Sequence, residues 1–220
     1  MQQRAVQYTR THASLSPLFP RRKKRAFAFD LDGTVTAVEL LPLLARHAGL
    51  EGEIAELTRR TLSGEIDFER SFRMRFSMLR HIPLHRIHES MATAPLDPHI
   101  AAFITSRPDE CVIVTGNLDL WVMPLLERLG CRYFASHGTL REDGPHLLSV
   151  LDKGAAAHAL RTEYRDVIAI GESMNDVPLF KAATVGVAFA GVHAPVPEIR
   201  RLARYHVPDG AALCGLLARL

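Results

Sequence analysis

The 220 residues are 47% hydrophobic and 23% charged, a globular balance that excludes wholesale disorder and suits one α/β domain with a small insertion. Apolar runs such as "VIAIG" (167–171) fall far short of the roughly 20 residues that cross a bilayer, so no transmembrane helix is expected and the chain should be soluble. The net charge of +3, from 27 basic and 24 acidic side chains, is unevenly placed.

Arg4, Arg10, Arg21, Arg22, Lys23, Lys24 and Arg25 fall in the first 25 residues, which hold no acid, leaving 20 basic against 24 acidic side chains in the rest. This stretch lacks helical or strand periodicity and ends in "RRKKR", which reads as a mobile solvated tail. A nucleic-acid or anionic-surface patch is a second reading. No apolar core precedes "RRKKR", which argues against a secretory leader, while the basic, acid-free start is compatible with an organelle transit peptide.

"AFAFDL" (26–31), "CVIVTG" (111–116), "CRYFAS" (131–136), "VIAIGE" (167–172) and "VGVAFA" (185–190) are short apolar runs bounded by turn residues, read as buried strands. Helical patterns occupy 118–130, with Gly130 as a C-terminal stop, and 153–165. Alternating strand and helix predicts a doubly wound parallel sheet, whose ligands sit at the carboxyl ends of the strands. From Glu39 to Pro95 only amphipathic helical patterns occur, reading as a lid over that end. Asp143-Gly144 marks a hairpin turn. Cys111, Cys131 and Cys214 show no metal-ligand spacing and read as buried thiols in a reducing compartment, with a cytoplasmic location expected.

Asp30 and Asp32 would emerge where the first strand ends. A carboxylate is ionised at neutral pH and can attack phosphorus without a general base. Asp32 can protonate the leaving oxygen and later take a proton from water. Asp-Gly also marks simple turns, so DLDGT alone leaves both readings open. Glu172 and Asp176 follow another strand-like run, where a Mg²⁺ ion needing oxygen ligands would find them. Thr115, Gly116 and Asn117 offer a hydroxyl and backbone N–H groups to an anion, and Lys153 can neutralise nucleophile and phosphate together. On the helix expected over 67–80, Phe68, Phe72, Arg75, Phe76 and Leu79 share one stripe. An arginine there either holds a carboxylate bidentately or snorkels at the edge. His81, His85 and His88 lack the companion acids of a zinc motif and read as solvated surface.

The order "DLDGT" (30–34), "TGN" (115–117), Lys153, "GESMND" (171–176) resembles the haloacid dehalogenase superfamily, and within it the phosphoserine phosphatases, over residues 26 to about 190. The resemblance implies a Rossmann-like α/β core (26–38 and 96–220), an all-helical cap (39–95), and Mg²⁺-dependent hydrolysis of a small phosphate monoester, O-phosphoserine, through an aspartyl phosphate. It implies Asp30 as nucleophile and metal ligand, Asp32 as acid/base with its carbonyl on the metal, and Glu172 and Asp176 as further metal ligands. Thr115, Gly116, Asn117 and Asn175 would hold the phosphoryl group, Lys153 would stabilise it, and Glu39, Phe68 and Arg75 would select the substrate. The family carries Ser-Gly-Gly in place of Thr115-Gly116-Asn117 and Asp in place of Glu172. That extra methylene shifts a ligand by about 1.5 Å, so the ion moves or is reached through water. Alternatives are transfer to an alcohol or another phosphorylated metabolite, and a non-catalytic binding protein on the same fold. The expected partner is a small molecule, with neither nucleic acid nor membrane.

Overall fold

The computed structural model describes residues 22–220. Its strands are β1 (Lys23–Phe29), β2 (Cys111–Leu118), β3 (Arg132–Arg141), β4 (Gly144–Ser149), β5 (Tyr164–Gly171), β6 (Val185–Phe189) and β7 (Tyr205–Val207). They form one sheet in the order β4-β3-β2-β1-β5-β6-β7, parallel except for the β3–β4 hairpin at Asp143-Gly144. The chain winds outward from β1 through β2 to β4, then returns to the other side of β1 with β5. Such a reversal opens a crevice at the carboxyl ends of the strands.

Residues Ala26–Phe29 of β1 are fully buried, as expected for a strand covered on both faces. Phe27 and Phe29 turn to one face, where Phe103 of α5 (Pro98–Ser106) meets both rings edge-on at 5.4 and 6.4 Å. Ala26 and Ala28 turn to the other, packing in one cluster with Ala156, Ala157 and Leu160 of α7 (Lys153–Glu163) and Phe180 of α8 (Val177–Ala182). Small side chains on both sides there let helix and sheet approach closely.

The strand starts earlier than its apolar run. Lys23 pairs with Tyr164 in the β1–β5 register, so the last three residues of the basic tail are strand and not free chain. Backbone pairing needs no apolar side chain, and Lys23 and Arg25 lie over the Tyr164 and Phe27 rings at 5.4 and 5.2 Å. The remainder of the tail reading, residues 1–21, lies outside the described residues.

Between Glu39 and Pro95 the chain forms α1 (Leu40–Ala45), a 3-10 turn (Arg46–Ala48), α2 (Glu51–Leu62), α3 (Phe68–Leu79) and α4 (Leu84–Thr93). The segments entering and leaving this helical unit pair with each other through a Thr36–Leu96 bridge, with Ala37 N–H donating to Pro95 O at 3.0 Å and Asp97 N–H to Val35 O at 2.9 Å. The unit rests on α6 (Asp119–Leu129): Phe76 stacks on Trp121 at 5.5 Å, and His88 bonds Leu120 O at 2.8 Å. His81 and His85 are exposed. Beyond β6, α9 (Pro197–Leu202), β7 and α10 (Gly210–Leu217) complete the sheet and its helices. A three-residue strand carries too little alternation to be read in advance.

The thiols are all free, but only Cys111 is fully buried, Cys131 and Cys214 being partly buried against the core. Burial pushes the Cys111 thiol up to about 12, leaving it inert at neutral pH. Among the described residues no helix is long and apolar enough to cross a membrane.

α7 matters to the site because it starts on Lys153. Asp152 caps it, accepting from Gly154 N–H at 2.8 Å and Ala155 N–H at 3.1 Å. Asp152→Ala is expected to cost about 1 kcal/mol, lowering Tm by roughly 2–4 °C, as read from urea and thermal unfolding.

Candidate active site

Asp30 follows β1, Glu172 follows β5, and Gly116 and Asn117 close β2, so three neighbouring strands deliver the motifs to one crevice. The first helical residue of α7 completes it. Lys153 Nζ donates to Asp30 Oδ1 at 2.5 Å and Asp176 Oδ1 at 2.7 Å, with all three side chains buried. Asp176 Oδ2 accepts from the N–H groups of Glu172 (3.1 Å) and Ser173 (2.9 Å) and from the Ser173 hydroxyl (3.0 Å). Gly171 is required there, since a Cβ would lie 2.6 Å from that carboxyl group.

Glu172 is 1% exposed. Its Oε2 accepts from the Thr34 hydroxyl at 2.6 Å, while its Oε1 is buried without a partner. Asp30, Glu172 and Asp176 each offer a carboxylate oxygen, all within 4.8 Å of one another. An all-oxygen set of this kind with an orphaned acceptor suits a hard divalent cation. Burial, reinforced by Asp176, raises the Asp30 pKa well above the carboxylate range despite Lys153; burial, with Asp30 next, does the same to Glu172. Burial works against the Lys153 cation, but Asp176 and Asp30 outweigh it and raise its pKa. One ammonium group does not balance the cluster.

Asp32 stands apart from these three acids. Its Oδ1 accepts from Leu40 N–H at 2.9 Å and its Oδ2 from the Asn117 side-chain amide. Burial, then the neighbouring Glu39 charge, push it up to about 7, a value matched to proton transfer near neutrality.

A cavity of about 40 Å³ joins the two halves: Asp30, Asp32, Gly116, Asn117 and Asn175 line it from the sheet side, and Glu39, Thr58, Phe68, Phe72 and Arg75 from the helical unit. Arg75 is 4% exposed. Its Nη1 donates to Thr58 Oγ1 at 3.2 Å and its Nε to Ser71 O at 3.4 Å, while Nη2 has no partner. Burial lowers its pKa to about 10 against the pull of Asp32 and Glu39, so it stays cationic. Phe68 crosses directly over Gly116, where any Cβ would overlap its ring.

Of the expected site residues, Lys153, Glu172 and Asp176 do not line this cavity, and neither does Thr115. It is fully buried, and its hydroxyl accepts from Asn117 N–H at 3.1 Å, shaping the turn. Asn117 likewise spends its amide on Asp32. Thr34, Thr58 and Ser173 support the site without having been singled out. Thr58 left a trace, a polar residue on the buried Ile54–Thr58–Thr61 stripe of α2. His193 left none; it bonds Glu39 Oε1 at 3.0 Å from the loop after β6.

A family model described as haloacid dehalogenase-like hydrolase matches residues 27–181. The chain belongs to the haloacid dehalogenase-like hydrolases. Among curated relatives of this hydrolase, the phosphoserine phosphatase of Methanocaldococcus jannaschii is 28% identical over 186 residues, covering 76% of this chain and 86% of its own. That of Vibrio cholerae is 30% identical over 216 residues, covering 90% of this chain and 64% of its own. A solved structure described as a phospho-aspartyl intermediate analogue of phosphoserine phosphatase superposes with a TM-score of 0.74 at 25% identity, covering 90% of this chain and all of the other.

The raised carboxyl pKa values have a measurable consequence. Asp30, Asp32 and Glu172 bind protons more tightly folded than unfolded; the stability that Asp32 contributes is full below pH 3.8 and is lost as pH rises through about 7, where it ionises. Urea unfolding in EDTA should therefore show declining stability over that window, and millimolar Mg²⁺ should flatten it by binding the folded acids. A flat EDTA profile would count against the acid cluster.

Proposed function

We propose that this hydrolase is a Mg²⁺-dependent phosphatase that cleaves a small phosphate monoester, O-phosphoserine, through an aspartyl phosphate on Asp30. The observation that carries the reading is the single cavity in which Asp30, clamped by Lys153, and Asp32 face Arg75 and Glu39. The substrates named for the relatives point the same way.

Asp30 Oδ1 is held by Lys153, leaving Oδ2 to attack phosphorus in line with the ester oxygen. The P–O ester bond breaks as the Asp30–phosphorus bond forms, and Asp32, carrying a proton, gives it to the departing alkoxide. Asp32, now ionised, takes a proton from water. The resulting hydroxide attacks the aspartyl phosphate, releasing inorganic phosphate and restoring Asp30. Asn117 keeps the Asp32 carboxyl in place through both proton transfers. Asp30, Glu172 and Asp176 would hold the Mg²⁺, with the Asp32 carbonyl as an expected further ligand. When bound, the ion supplies positive charge against the nucleophile and the phosphoryl oxygens. Lys153 shares that task, and Gly116 and Asn175 border the phosphoryl group.

Residues 39–95 serve as the cap. Arg75 Nη2 is positioned to take the substrate carboxylate and Glu39 its ammonium, with Phe68 closing over Gly116. A cavity of about 40 Å³ is too small for a phosphorylated amino acid, so the cap swings open on its paired connecting segments to admit substrate.

Phosphate release across a panel of monoesters, with and without Mg²⁺, tests chemistry and pocket together. Asp30→Asn should abolish Mg²⁺-dependent release while the far-UV circular dichroism stays unchanged; surviving turnover would sink the mechanism. Arg75→Ala should raise KM for O-phosphoserine about tenfold or more, as expected for a lost charge-assisted pair. It should leave phosphoethanolamine, which lacks the carboxylate, nearly unaffected.

A further inference from the structure

Glu39 stands between two spaces. It borders the small catalytic cavity and also a second cavity of about 440 Å³, in whose wall His193 and Pro42 lie. Its carboxylate thus has somewhere else to go. What holds it is His193, whose Nε2 lies 3.0 Å from Glu39 Oε1. An ionised carboxylate only accepts, so the shared proton sits on His193.

The pair bridges independently placed parts of the chain. Glu39 is the residue before α1, at the entrance to the helical unit, whereas His193 belongs to the core loop between β6 and α9. That loop is itself tied to the catalytic loop, Val192 N–H donating to Gly33 O at 3.3 Å. Gly33, with φ of +70°, leaves the space in which the groups meet: a Cβ there would lie 3.2 Å from Glu39 Oε1 and 3.4 Å from the His193 ring. Glu39 Oε2 accepts no hydrogen bond among the described residues. The hydrogen bond and the Glu39 charge also raise the His193 pKa against partial burial, which strengthens the clamp.

We propose that His193 is a positioning residue for substrate selection: it fixes Glu39 Oε1 from the core side so that Oε2 is presented to a cationic ammonium group on the phosphate monoester. The inference rests on the proposed phosphatase reading and deepens it. A carboxylate has about four acceptor sites, so one donor from His193 leaves room for an ammonium. Without His193, Glu39 is free to rotate toward the larger cavity, and the site loses its preference for a cationic substrate while its phosphate chemistry stays intact.

O-phospho-L-serine and 3-phospho-L-glycerate form the decisive pair, since they differ only in carrying an ammonium or a hydroxyl at the same carbon. In the full-length protein with Mg²⁺, His193→Ala should raise KM for O-phosphoserine about tenfold, the scale of a weakened charge-assisted hydrogen bond. It should leave kcat within about twofold and KM for 3-phosphoglycerate unchanged. His193→Gln, which keeps a donor, should restore most of the preference. Equal losses on both compounds, or a Gln variant no better than Ala, would overturn the role. The same preference is also read as binding, by calorimetric titration of both compounds into Asp30→Asn protein with and without His193→Ala. A wild type that turns over neither compound refutes the proposed reaction, whereas the binding ratio still decides His193. Asp30→Asn protein that does not prefer O-phosphoserine, or whose preference survives His193→Ala, overturns the inference by itself.

Discussion

Asp30, Glu172 and Asp176 share a buried crevice with a single ammonium group, Lys153, and Asp32 stands close by. Buried carboxylates repel one another and lose hydration, and both effects raise their pKa values. Most of the surrounding structure answers that imbalance. α7 is capped so that Lys153 is its first residue, a 3-10 turn at Met174–Asp176 aims backbone and hydroxyl donors at Asp176, and Thr34 satisfies one oxygen of Glu172. What remains is an orphaned Glu172 oxygen and a deficit of positive charge, an all-oxygen setting that suits a hard divalent cation. The arrangement is costly as a scaffold and useful as a reactive centre, which is why it reads as function and not as packing.

The second constraint is closeness. β1, β2 and β5 bring their ends together, and the helical unit lies close against them where Phe68 covers Gly116 and Gly64 abuts Met174. The helical unit is held at one end by α4 on α6 and by Phe76 against Trp121. Elsewhere it meets the core through the Phe68–Gly116 and Gly64–Met174 contacts and through the polar Glu39–His193 pair.

Much of the core was legible because its signals are local. Four uncharged residues before Asp30, Gly130 past its helix and Asp143-Gly144 in the hairpin each act through the chain within a few residues, and the structure places strands, stop and turn accordingly. The stripe on α3 likewise set Arg75 among apolar neighbours, and burial of that face followed. Less legible were the three basic residues that begin β1, since their pairing comes from β5 backbone 141 positions away along the register. The burial of Cys131 and Cys214 was overestimated for a related reason: apolar flanks say what a residue tolerates, not which helix covers it.

By itself, the sequence determined the alternation of strand and helix, the helical insertion, and the order of the charged motifs, because periodicity and turn chemistry are written residue by residue. Only the tertiary structure decided which partners those charges received. Thr115 turned inward to Asn117, the Asn117 amide went to Asp32, Glu172 kept one oxygen free, and His193 reached Glu39 across 154 residues of chain. The reason is physical: a hydrogen bond between distant residues depends on how layers pack, and no spacing along the chain encodes it.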